Sequence, residues 1–101
     1  MKSPAVYIMT NRKNGTLYVG VTSDLVARVW QHREKQVEVF SKRYNLAQLV
    51  WFELHSTMEY AILREKQLKA GNRLRKCELI EVANSNWSDL WSEIAGGGHV
   101  G

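Results

Sequence analysis

The sequence predicts an α/β fold of the α+β kind, a small three-stranded antiparallel sheet flanked by helices. Three observations carry this. Two short apolar runs, Ala5 to Thr10 and Leu17 to Val21, are joined through Asn14-Gly15, a strong signal for a tight hairpin because both residues accept positive φ. A third run, Ala47 to His55, is rich in β-branched and aromatic residues. The segments that open near Thr22, Ser56 and Asn72 combine capping residues with apolar positions at helical spacing.

In the first run Val6, Ile8 and Thr10 point to one face, and Ala5, Tyr7 and Met9 to the other. In the second, Tyr18 and Gly20 oppose Leu17, Val19 and Val21. Pairing the two runs therefore sets both phenols on one side of the sheet. Gly20 is expected to end its strand and to let a ligand approach the backbone beside them. The helix that follows is expected to be capped by Thr22 or Ser23, with Asp24 in the first turn, where negative charge suits the helix dipole. Leu25, Val29 and Trp30 make its apolar side. Asp24, Arg28 and His32 stack one above the other, either as a solvated ladder in which Asp24 pairs Arg28 or as part of a site beside the phenols.

Arg33 to Arg43 is polar and mixed in charge and reads as a loop or short irregular helix. Lys42 and Arg43 within it either meet phosphate or are simply solvated. The third strand is expected to end near Leu54. Ser56 and Glu59 have the spacing of a capping box, opening a helix that runs to about Ala70 and stops at Gly71. At ~100° per residue, Met58, Ala61, Ile62 and Leu68 form one apolar stripe, and Glu65 falls inside it. A carboxylate so placed is costly unless paired, so Glu65 either bonds a lysine such as Lys69 or ligates a cation. A lone glutamate suits Mg²⁺, which keeps much of its hydration, and does not suit zinc. A third helix is predicted over Asn72 to Ala83, with Leu74, Cys77 or Glu78, Ile80 and Ala83 near helical spacing and Leu79 and Val82 adding cover. Asn84 to Trp91 reads as a turn and short helix whose Trp87, Leu90 and Trp91 cap the core. Residues 1–94 are expected to form one domain, and 95–101, AGGGHVG, a flexible tail.

A chain of 101 residues, 45% of them hydrophobic, has enough apolar matter for one core and little for a second function. No apolar run approaches the ~20 residues of a membrane span, and the first residues lack a signal-peptide core, so a soluble cytoplasmic protein is expected. The single cysteine, Cys77, excludes an internal disulfide and a zinc knuckle. The net charge of +4 is concentrated: Arg64 to Lys76 carries six basic residues against one acid, Glu65. Such an edge suits a polyanion, with Lys66, Lys69, Arg73 and Lys76 as candidate nucleic-acid contacts, or merely keeps the protein in solution. Aromatic residues are sparse there, which argues against a base-stacking single-strand platform.

Ala5-Val6-Tyr7, Tyr18-Val19-Gly20 and Arg28, eight residues beyond that glycine, resemble the GIY-YIG nuclease domain. The likeness takes in His32, Glu65 within LREKQLK, and the run from Leu79 to Trp91, which looks like the small single-domain bacterial branch. It covers the chain to about Ile94. Ala5 stands where the motif has glycine and Val19 where it has isoleucine; both are small and apolar. The resemblance implies the three-stranded GIY-YIG-like fold and a metal-dependent endonuclease using Mg²⁺ or Mn²⁺ on DNA, in a repair or recombination setting. Branched and single-stranded forms, and RNA, stay open.

The catalytic set so implied is Tyr7, Tyr18, Arg28, His32 and Glu65. Glu65 would hold one cation at a non-bridging phosphate oxygen, and Arg28 would neutralise the same phosphate from the other side. Tyr7 or Tyr18 would deprotonate the attacking water, its ordinary pKa near ~10 lowered by the cation and the guanidinium. His32 would orient or deprotonate one of these groups. Cleavage would leave 5′-phosphate and 3′-hydroxyl ends. Two other classes compete: a nucleic-acid-binding module of the same fold that does not cut, and an interaction protein for which the basic charge is incidental.

Overall fold

Every side chain of Ala5–Thr10 (β1) is buried, with Val6 and Ile8 on one face and Ala5, Tyr7 and Met9 on the other. A strand covered on both faces belongs in the middle of a sheet. β1 accordingly lies between Leu17–Thr22 (β2) and Gln48–Leu54 (β3), antiparallel to both. The computed structural model describes residues 2–34 and 44–96. Its remaining elements are three helices, Leu25–Arg33 (α1), Met58–Ala70 (α2) and Arg73–Ala83 (α3), and a π-helical turn at Ser92–Gly96. The sheet, its strand faces and the three flanking helices match the sequence reading; the short helix expected within Asn84 to Trp91 is found instead at Ser92–Gly96, which takes in the first two residues of the expected tail. Residues 35–43, with Lys42 and Arg43, and 97–101 of the expected tail lie outside the described residues.

The hairpin connection is longer than Asn-Gly alone implies. Gly15 N–H donates to the carbonyl of Arg12 at 2.9 Å, and Asn14 takes the positive φ of 60°. Gly15 is there for space: a Cβ on it would run into Asn11 and the Arg12 backbone. Between β1 and β3 the register shifts at Ile8/Met9, so that Trp51 faces Ile8 and Leu49 faces Met9. Val50 is the extra residue of a bulge. It and its neighbour Trp51 consequently both enter the Val6–Ile8 side of the core.

Several local expectations change. Asp24, not Thr22 or Ser23, is the N-cap of α1; its carboxylate accepts from Ala27 N–H, while Thr22 Oγ1 accepts from Asp24 N–H at 3.0 Å. Leu25 and Val29 are buried as expected, but Trp30 is 45% exposed. Thr57 rather than Ser56 caps α2, its hydroxyl accepting from Tyr60 N–H, so the Ser56/Glu59 box is unused. Ala61 and Leu68 of α2 reach the core, whereas Ile62 is exposed; on α3, Ile80, Cys77 and Leu79 pack inward while Leu74 and Val82 face out.

The two cores are thus separate layers. Val6, Ile8, Val19, Val50 and Trp51 meet α2, α3 and Trp87. Ala5, Tyr7, Met9 and Leu49 meet Leu25 and Val29 of α1, with Leu46, Leu90, Trp91 and Ile94. Trp87 and Leu90 lie on opposite faces, so the chain between them wraps the outer edge of β3. Asn84 Nδ2 donates to Val50 O, Leu90 N–H to Leu49 O, and Leu49 N–H to Asp89 Oδ1, which satisfies an edge that would otherwise invite pairing.

Candidate active site

The β1–β2 register sets Tyr7 opposite Gly20 and Met9 opposite Tyr18, so both phenols lie on the face that α1 covers. Gly20 does not end its strand, and the space above it is not open. A Cβ at this position would overlap the hydroxyl and ring of Tyr7, which lies across the glycine. Gly20 is therefore the seat of Tyr7, and the expected ligand approach to its backbone is filled by that phenol.

Tyr7 and His32 are each 1% exposed, and Tyr7 Oη lies 3.0 Å from His32 Nε2. The hydroxyl donates when Nε2 is bare and accepts when Nε2 carries the proton. Tyr18, half-buried, completes a triangle of rings, its centroid 6.3 Å from Tyr7 and 5.2 Å from His32, with 5.6 Å between Tyr7 and His32. The solvated ladder along α1 is not formed. His32 turns inward, and Asp24 caps the helix and lies 3.7 Å from Lys2. Arg28, one turn before His32, is half-buried, and among the described residues its guanidinium has no hydrogen bond or ion pair.

Glu65 stands on α2. Its neighbours on the inward stripe of α2, Ala61 and Leu68, pack against the Val6–Val19 face, opposite the phenols. α2 lies over β1 and β2. The side chain of Glu65 is 15% exposed, and its carboxylate accepts from Lys69 Nζ at 2.8 Å. The pairing reading of Glu65 is thus the one present. Among the described residues no cluster of three or more His, Cys, Asp or Glu gathers as a metal cage. A hard divalent cation that keeps its waters needs few protein oxygens, and one carboxylate is a donor of that kind. Glu65 has the donor chemistry for such an ion, and its carboxylate is bonded to Lys69, whose side chain is 52% exposed.

The basic edge is partly committed to structure. Arg73 donates to Asn14 O at 2.9 Å and Gly15 O at 2.7 Å, pinning α3 to the hairpin, and Lys76 Nζ donates to Gly71 O at 2.7 Å. Lys69 holds Glu65, and Lys66 is exposed. Arg64 and Arg75, members of the same charge run that the sequence reading did not single out, line a groove with Lys76.

The two tripeptides therefore stand side by side on neighbouring strands, ahead of a helix that carries Arg28 and His32. Residues 3–77 match the family model described as the GIY-YIG catalytic domain. The chain belongs to the GIY-YIG family. UPF0213 proteins of Staphylococcus aureus strains Mu3 and N315 are each 35% identical to this GIY-YIG chain over 81 residues, spanning 80% of it and 98% of their own length. The fold is similar to that of the UPF0213 protein of Bacillus halodurans, solved by solution NMR, with a TM-score of 0.55 and 23% identity over 91% of this chain and 96% of that one. This second likeness speaks to fold alone. GIY-YIG membership brings a nuclease family, a nucleic-acid substrate in general and, as a rule, dependence on a divalent metal. Among the described residues no helix is long and apolar enough to cross a membrane.

Proposed function

We propose that this GIY-YIG protein is an endonuclease that hydrolyses phosphodiester bonds in DNA, with one divalent cation, Mg²⁺ or Mn²⁺, held at Glu65. We read residues 1–94 as the catalytic domain, acting in the cytoplasm in repair or recombination. The observation that carries the reading is the Tyr7–Tyr18–His32 triangle with Arg28 one helical turn away.

Tyr18 is half-buried and meets solvent, whereas Tyr7 and His32 are closed off, so Tyr18 is the phenol that can lose its own proton to solvent and, as phenolate, take one from an attacking water. Tyr7 bonds His32 and holds that ring against Tyr18, so the base is positioned before substrate arrives. Arg28 binds the non-bridging oxygens of the scissile phosphate with no competing ion pair to break among the described residues. When bound, the cation supplies positive charge for the phosphate and the leaving oxygen. Glu65 turns from Lys69 to hold it. The expected products carry 5′-phosphate and 3′-hydroxyl ends.

The test is cleavage of several DNA forms with Mg²⁺ or Mn²⁺, comparing wild type with Glu65→Ala and Arg28→Ala. Each substitution is expected to lower the rate by about a hundredfold or more; cleavage that survives both removes the assignment. One observation favours a second reading, a nucleic-acid-binding module that does not cut: the Glu65–Lys69 bond closes the carboxylate. Binding that persists in a chelator and never yields product at any metal concentration supports that module.

A further inference from the structure

We infer that the groove at the α2–α3 junction is a track for the phosphate backbone of a nucleic-acid strand, distinct from the ring triangle. The identity of the occupant rests on the nuclease reading. A hollow of about 550 Å³ is lined by Arg64, Arg75, Lys76 and the link at Gly71 and Asn72. A second, of about 340 Å³, lies between Arg73, Lys76 and the start of β2 at Thr16 and Leu17. Lys76 borders both, so the two adjoin.

Charge decides what fits. Among the described residues lining the two hollows there is no acid and no aromatic ring. Arg64 is partly offset by Glu53, whose Oε1 accepts from its Nε at 3.0 Å. Arg73 and Lys76 are bonded to backbone carbonyls, which fixes where they stand without cancelling their charge. The side chain of Arg75 has no ion pair among the described residues, and the N-terminus of α3, capped by Asn72, adds its dipole to the same positive field. One small anion would occupy a single pair of these groups. Four cations over two joined hollows suit a run of phosphates, each a full negative charge. Without rings to stack on, the contact reads backbone and not bases, so it adds affinity without sequence preference.

The experiment measures binding of a labelled DNA oligonucleotide, with chelator present so that nothing is cut, across a salt series. Arg75→Gln/Lys76→Gln is compared with wild type and with Lys2→Gln/Lys13→Gln, which removes the same charge outside the groove. The groove pair is expected to weaken binding by about tenfold at low salt and to flatten the salt slope by about 1.5 to 2, with the control pair close to wild type. Because Lys76 also bonds Gly71, Arg75→Gln alone is measured too, and is expected to flatten the slope by about 1 with an unchanged melt. Equal loss in the groove and control pairs, or no binding by wild type, overturns the track. Binding through the groove without any cutting in Mg²⁺ or Mn²⁺ leaves the track standing and removes the nuclease reading. Cutting with unchanged affinity in the groove variants does the reverse.

Discussion

Gly20 and Tyr7 share one volume. The missing side chain of the glycine is what lets the phenol lie flat across β2 and reach His32. Gly20→Ala is therefore an overpacking change at a site fixed on every side, expected to destabilise by about 1–3 kcal/mol in a urea melt and to lower cleavage as Tyr7 is displaced. Tyr7→Phe keeps the shape but removes the hydroxyl bonded to the buried His32 Nε2, at about 1–3 kcal/mol, and the double variant with His32→Leu measures how strongly the two are coupled. Alternation along Ala5–Thr10 and Leu17–Thr22 was enough to bring the phenols to one face. What fills the space over Gly20 was not legible, because a sequence records the absence of a side chain and not the neighbour that takes its place. Glu65 shows the same limit: the stripe put it in a costly position, and geometry alone chose Lys69 among the partners that could relieve it.

At the scale of elements, the segment from Asn84 to Trp91 closes β3. Asp89 does most of this work: Oδ1 accepts from Leu49 N–H and Trp91 N–H, and Oδ2 accepts from Arg33 at 2.7 Å, with the Arg33 guanidinium also 5.0 Å over the Trp91 ring. Asp89→Ala leaves two backbone amides without their partner and is expected to cost about 1–3 kcal/mol, more than Arg33→Ala, which removes a half-exposed ion pair. Equal melts for the two variants would show that the capping is idle. The stop of α2 at Gly71 and the start of α3 at Asn72 were readable, whereas the caps of α1 and α2 fell one or two residues later than expected, at Asp24 and Thr57. The bulge at Val50 was not, because an unbroken apolar run such as Leu49-Val50-Trp51-Phe52 carries no alternation from which to detect a change of face.

For the whole molecule, Ala61 and Leu68 of α2 and the phenols pack on different faces of the sheet, and the proposed chemistry needs a cation held at Glu65. A cation held there in the native state alone stabilises the fold by mass action. With Mn²⁺ at a hundredfold excess over its Kd, the gain is about 2.7 kcal/mol in wild type and is absent in Glu65→Ala, as read from thermal melts. A gain that persists in Glu65→Ala places the ion elsewhere. The most direct measurement is the single-turnover cleavage rate of one labelled DNA by wild type and by Tyr18→Phe, under saturating metal and with matched melting curves. A Tyr18 base predicts a fall of about a hundredfold or more from the loss of one hydroxyl; equal rates would contradict it, and no cleavage by wild type would leave the ring triangle without a reaction.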